Sequence, residues 1–206
     1  TVELSSADAA VGDNFGRWVA IDGDTAVVSA PMDDHLGDDD SGSAYVFQRQ
    51  ADGSWLEVAK LTASDASRLD EFGYGITIDG DTIAVGAYRS NTNGRNSGSA
   101  YIFQRQADGA WAETAKLTPS DGDKRDFFGH SLALDGDVLV VGADEDENGG
   151  SAYIFQRQAD GTWSEIAKIT ANDGVVDDHF GHAVAIDGNR IVVGAYLDDG
   201  SGSDTG

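Results

Sequence analysis

Short apolar runs, broken every few residues by Gly and Asp, set the pattern of this chain. Ile76-Thr77-Ile78 is followed by Asp79-Gly80 and then Thr82-Ile83-Ala84-Val85, two β-prone runs joined by the Asp-Gly signal of a tight hairpin. The same pair recurs at 19–21 with 25–29, at 132–134 with 138–141, and at 184–186 with 191–193. Runs this continuously apolar predict strands covered on both faces. A polar loop then leads into residues 98–106, a turn at Ala107-Asp108-Gly109, and residues 111–118; near-copies stand at 42–50 with 55–62 and at 150–158 with 163–170. Four strands per unit are thus predicted, and no segment carries the 3.6-residue apolar spacing of an amphipathic helix. Each fourth strand holds a Lys (Lys60, Lys116, Lys168), a charge expected to discourage edge-to-edge pairing there.

Phe-Gly pairs at 15–16, 72–73, 128–129 and 180–181 precede the first strand of each unit at intervals of 57, 56 and 52 residues. A fixed period in this range marks units that bury apolar surface by stacking on their neighbours. Four antiparallel strands at this period describe a β-propeller blade, the first strand innermost and the fourth outermost. The expected fold is therefore all-β: a propeller of four-stranded antiparallel blades, three complete and a fourth split. Residues 1–206 read as one module with units beginning near Phe15, Phe72, Phe128 and Phe180. Residues 1–14 read as a stray outer strand around Leu4 with its loop, and 197–206 as an acidic, Gly/Ser-containing tail.

The Phe-Gly pair before the first strand, with Ser29-Ala30-Pro31 at the end of the second, resembles the FG-GAP repeat of the integrin α-subunit propeller and its bacterial surface-protein relatives. Gly86-Ala87-Tyr88, Gly142-Ala143-Asp144 and Gly194-Ala195-Tyr196 take the same place, so the first repeat alone keeps the Pro. The resemblance implies an extracellular or cell-surface binding or adhesion scaffold. Integrin repeats often carry an Asp-x-Asp-x-Asp-Gly calcium loop between the first two strands, whereas here that connection is a bare Asp-Gly turn. Propellers of the family usually close with seven blades, more than this chain contains.

Charge sharpens the picture. With 37 acidic against 13 basic side chains the net charge is −24, which repels phosphate backbones and anionic lipid. Nucleic acid is therefore not an expected partner, and no apolar run approaches the roughly 20 residues of a bilayer span. There is no Cys, which excludes disulfides and thiolate metal sites. In a propeller the connections between blades and those from second to third strand share one face. Those loops hold 23 of the 37 acidic residues and only five basic ones.

Two Asp positions on that face never vary: seven before the Phe (Asp8, Asp65, Asp121, Asp173) and two before it (Asp13, Asp70, Asp126, Asp178). Either they accept backbone N–H bonds that hold the loop, or, with Asp33 and Asp34 of the second-to-third-strand loop, they present a cation-binding face. The best local Ca²⁺ candidate is Asp144, Asp146 and Asn148. Their alternating oxygen donors precede a Gly, but the later acidic ligand of a calcium loop is missing, and a merely solvated acidic loop is the alternative reading. The four histidines (His35, His130, His179, His182) form no metal pair of recognisable spacing and are expected to be isolated loop or strand-start residues, although His179 and His182 flank the fourth Phe-Gly.

No nucleophile motif is present, and near-identical blades offer no asymmetric centre for catalysis. The expectation is a non-catalytic scaffold whose acidic face takes a protein or glycan ligand with Ca²⁺ as co-ligand. A structural spacer without a ligand, or part of a glycan-active enzyme, are the alternatives. Strand counting gives 15 strands and an unpaired edge at Val193, so two chains closing a ring as a homodimer, or a piece of a longer propeller, are expected over an open monomer.

Overall fold

The computed structural model describes residues 2–8, 10–34, 39–146 and 149–198. Among them are fourteen strands and no helix. Three blades are complete: β1 (Val19–Asp22), β2 (Thr25–Ala30), β3 (Ser43–Arg49) and β4 (Trp55–Leu61); β5 (Ile76–Asp79), β6 (Thr82–Ala87), β7 (Ser99–Arg105) and β8 (Trp111–Leu117); β9 (Ser131–Asp135), β10 (Val138–Ala143), β11 (Ser151–Arg157) and β12 (Trp163–Ile169). A fourth unit holds β13 (Phe180–Asp187) and β14 (Arg190–Ala195). Each sheet is antiparallel and runs in chain order, and the first strands β1, β5, β9 and β13 pack in series along the inside. The fold is the propeller type expected, with the fourth blade split.

The hairpins close where the sequence places them, although the loop itself is Gly-Asp. Asp22 pairs with Thr25 and Asp79 with Thr82, leaving Gly23-Asp24 and Gly80-Asp81 to turn. Gly23 sits at φ 54°, the left-handed first position of a type II′ loop.

The cores lie between blades. Phe72 is fully buried, edge-on to Tyr101 and Phe103 of its own blade at 5.5 and 5.9 Å, and its cluster includes Val27, Ala44 and Val46 of the blade before. Phe128 repeats the arrangement with Tyr153 and Phe155 on one side and Ala100 and Ile102 on the other. Burying a Phe side chain in this way stabilises by about 2–3 kcal/mol.

Backbone contacts complete the clasp. Phe72 N–H donates to Ser41 O of the preceding blade at 2.9 Å, while Gly73 N–H donates to Gly86 O of its own blade at 2.9 Å. Phe128 and Gly129 do the same to Ser97 O (3.1 Å) and Gly142 O (3.0 Å). Glycine is required where the next unit's pair crosses: a Cβ on Gly86 would fall on the carbonyl of Gly129, and one on Gly142 on that of Gly181. On the opposite face the hairpin carboxylates link the units again, Asp22 accepting from Gly80 N–H at 2.8 Å and Asp135 from Gly188 N–H.

One expectation changes. Residues 2–6 form no strand, because a fourth strand needs the third strand of its own blade beside it; Leu4 instead packs on the first blade's outer cluster with Phe15. Among the described residues fourteen strands therefore stand where fifteen are expected. The ends of the stack are also bare. Ile21 is 66% exposed where its counterparts Ile78 and Leu134 are 8% and 9%, and Val192 is 69% exposed where Val140 is 0%.

Phe128→Ala should cost about 3–5 kcal/mol in denaturant unfolding, whereas Phe15→Ala, with blade on one side only, should cost less than half as much. Equal losses would show that the Phe of each unit does not bridge two blades.

Candidate functional site

Every inter-blade loop is held by the Asp two residues before the Phe. Asp13, Asp70, Asp126 and Asp178 are all buried, and one oxygen of each accepts the N–H three residues back, from Ala10, Ser67, Asp123 and Val175. That bond turns the chain so that the residue before the Phe adopts positive φ: Asn14 at 55°, Glu71 at 51°, Phe127 at 55° and His179 at 59°. These four carboxylates hold the loop.

The Asp seven residues before the Phe does different work. Asp8 accepts from Tyr45 Oη at 2.7 Å and from Lys60 Nζ at 2.6 Å. Asp65 takes Tyr101 and Lys116 at 2.8 and 2.6 Å, and Asp121 takes Tyr153 and Lys168 at 2.8 and 2.7 Å. Asp65 and Asp121 leave the outer strand of one blade and grip the third and fourth strands of the next, and Asp8 grips those of the first blade in the same way. The lysines expected to guard an edge are the cationic centres of these inter-blade pairs. Asp33 adds a second carboxylate to Lys60 at 2.8 Å and Asp146 one to Lys168 at 2.7 Å, while Ser90 takes the equivalent place in the second blade. Asp34 caps its own loop, accepting from Asp40 N–H at 2.9 Å. Asp173 is exposed, and these residues hold no third and fourth strand for it to grip.

The ammonium groups set the acid strengths. For Asp8 the Lys60 bond is the largest influence and holds the carboxyl below its ordinary range. Burial works the other way for Asp65 and Asp121, but the Lys and Tyr donors outweigh it and both are lowered. Lys60 and Lys168 are raised, their carboxylates outweighing burial. Asp126 is pushed up to about 6, mainly by burial, against the bond from Asp123 N–H.

Asp144 and Asp146 do not share a ligand position. Asp146 bonds Tyr153 Oη at 2.8 Å and Lys168, so an ammonium already stands where a cation would. Asp144 turns the other way, into three imidazoles: His182 Nδ1 is 2.9 Å from its Oδ2, and His130 and His179 Nδ1 are each 3.7 Å from the same oxygen. Asn148 lies outside the described residues. Calcium takes six to eight oxygens, so a carboxylate ringed by nitrogen donors does not fit it. His130 is held below the ordinary histidine range by burial, against the pull of Asp144. The sequence carried one signal for this cluster: His130 and His182 occupy the same place, two residues after the Phe, in consecutive units.

That place also varies from unit to unit: Arg17 with Trp18, then Tyr74, His130 and His182. Their side chains form a continuous rail. Trp18 and Tyr74 have ring centroids 6.2 Å apart, Tyr74 and His130 4.9 Å, His130 and His182 4.7 Å, and His182 and Tyr196 4.4 Å. Arg17 lies over the Tyr74 ring at 5.7 Å. A cavity of about 210 Å³ lined by Trp18, Tyr74, His130, Leu132, His182 and Val184 runs beside the rail along the inner strands.

Asp126 titrates with the opposite effect on stability to Asp8, Asp65 and Asp121. Carboxyls lowered by folding (Asp8, Asp65, Asp121) stabilise fully above about pH 4, and that contribution is lost as pH falls through their folded values. Asp126, raised to about 6, stabilises below about pH 4, and this is lost as pH rises through 6. Asp126→Asn should therefore raise the Tm at pH 7.5 and change it little at pH 4.5. An equal shift at both values would contradict the assignment.

Among the described residues no helix is long and apolar enough to cross a membrane. No curated protein is similar enough to this chain to match it. The FG-GAP repeat model matches four times, at residues 1–47, 55–103, 111–155 and 163–206. The second and third matches open on the outer strand of one blade and end within the third strand of the next, so the sequence repeat straddles the contact that Phe-Gly makes. With these matches spanning most of its length, the chain belongs to the FG-GAP repeat family.

Proposed function

We propose that this protein is a non-catalytic binding or adhesion scaffold, outside the cell or at its surface, whose loop face takes a protein or glycan ligand. The observation that carries the reading is the ring rail from Trp18 to Tyr196. In a stack of near-identical units the framework residues repeat, whereas the position after Phe-Gly reads Arg, Tyr, His, His, and these differing side chains converge on one continuous, partly exposed surface. Flat rings offer large contact area at low entropy cost and suit the apolar faces of sugars or aromatic-anchored peptides. The surrounding carboxylates add attraction for positive charge. Calcium belongs to this reading as a counter-ion of the exposed carboxylates.

Screening immobilised glycans and basic peptides should give a saturable ligand, and Trp18→Ala and Tyr74→Ala should each weaken it at least about tenfold with the Tm nearly unchanged. If no member of either panel binds, the chain is a structural spacer. Saturable turnover of a glycoside, lost on mutating one loop carboxylate, would make it an enzyme.

The two bare ends of the stack support a further part of this reading, that a second copy of the chain covers them. Ile21 on one end and Val192 on the other are apolar surfaces that the inner blades bury. Light scattering should give a dimer, and Ile21→Lys with Val192→Lys should convert it to monomer without loss of fold. A monodisperse monomer for the unmutated chain at 50–100 μM, on the order of a weak interface's Kd, would exclude the pairing.

A further inference from the structure

We propose that His130, His182 and Asp144, with His179 as fourth ligand, form a site for a borderline divalent transition metal of the zinc class. The inference goes beyond the ligand-binding reading and does not depend on it.

The first ground is geometry. Ligand atoms of His130, Asp144 and His182 all lie within 4.8 Å of one another. Around a tetrahedral ion with bonds of about 2.0–2.1 Å, neighbouring ligand atoms stand roughly 3.4 Å apart. The three Nδ1 atoms stand 2.9, 3.7 and 3.7 Å from Asp144 Oδ2.

The second ground is an unmet need. Nδ1 of His130 and Nδ1 of His179 are both buried and have no hydrogen-bond partner. A buried polar atom left unpaired is costly, so each calls for an explanation. Both face the same carboxylate oxygen at a distance too long for a hydrogen bond and suited to two ligands of one ion. A single metal among His130, Asp144 and His182 would satisfy the His130 nitrogen and take the Asp144–His182 pair as two of its ligands, and His179, 3.7 Å from the same Asp144 oxygen, stands beside it as the candidate fourth ligand. Three imidazoles and a carboxylate are a donor set for zinc, nickel or copper rather than for calcium or magnesium.

The third ground is how the ligands are held. His130 and His182 come from equivalent places on consecutive units, at β9 and within β13, and Asp144 follows β10, so the frame is the rigid inter-blade contact itself. A cavity of about 360 Å³, lined by Asp144, Glu145, Asp146, Asp177, His179 and Arg125, opens on the cluster and gives an ion a way in. Its four carboxylates outnumber the one guanidinium, so the approach favours cations.

The test is calorimetric titration of the untagged chain with ZnCl₂ at pH 7.5, alongside CaCl₂ and NaCl of matched ionic strength, with CoCl₂ absorption as a spectroscopic readout. One zinc per chain should bind, the Tm should rise well beyond the CaCl₂ and NaCl controls, and cobalt should give the intense visible bands of a tetrahedral nitrogen–oxygen site. His182→Gln, at a half-exposed position, and Asp144→Asn, nearly isosteric, should each keep the apo Tm within a few degrees while weakening zinc at least about 100-fold, at the upper end of what outer-sphere changes cost. Zinc acting no more strongly than calcium at equal ionic strength would overturn the proposal. So would one-to-one zinc binding that survives both substitutions.

Discussion

The contact of each Phe-Gly pair with the unit before it is the constraint from which the rest of this structure follows. Its Phe ring fills the space between two blades, its two N–H groups tie to carbonyls of both, and its backbone passes so close to the preceding blade that Gly86 and Gly142 cannot carry a side chain. Three separate interactions thus coincide at one dipeptide. A blade alone would leave Phe72 and the faces of β6 and β7 in water, which is why units of this kind are stable only in a stack.

Electrostatics is arranged around the same contact. The chain carries far more acid than base, and much of that acid is engaged: four Asp hold the inter-blade loops, and three more reach across to Tyr and Lys of the following blade. Lys168, with Asp121 and Asp146 on either side and the Tyr153 ring 5.1 Å away, takes the role that calcium has in proteins where a cation bridges loops. Removing such a lysine would leave Asp146 buried without its charge partner, a much larger penalty than losing an exposed pair. The loop face is acidic, but its deeper carboxylates are structural, and what it offers a partner is the ring rail and the outer, exposed acids.

Local features were legible from the chain because they are local. Apolar runs and Asp-Gly turns place thirteen of the fourteen strands within one or two residues, the longer β13 being the exception, since hydrogen bonding and hydrophobic burial act on neighbours. Repetition revealed which Asp positions matter, yet not how, because their partners lie on other strands; Tyr45 and Lys60, cross-strand neighbours that meet at Asp8, stand 37 and 52 residues from it. The alternating oxygens at Asp144 and Asp146 suggested one site. The two are separated by one residue in a turn closed by Asp146 N–H to Ala143 O, and that turn sends them to different partners. The imidazole cluster draws on three separate segments, and only its repeated position after Phe-Gly hinted at it. The strand expected near Leu4 is absent because strand formation needs a neighbouring edge, which sequence propensity does not supply.

Amide hydrogen exchange at Phe72 and Phe128 tests the clasp most directly. Their N–H groups lie in loops, outside any strand, and would exchange quickly if the loops merely connected independent blades. Since they are bonded to Ser41 and Ser97 across the inter-blade contact, they should exchange as slowly as the amides of β6 and β10, through global unfolding alone. Exchange at Phe72 and Phe128 as fast as at Gly109, in an exposed turn, would show that the Phe-Gly contact does not hold the blades together.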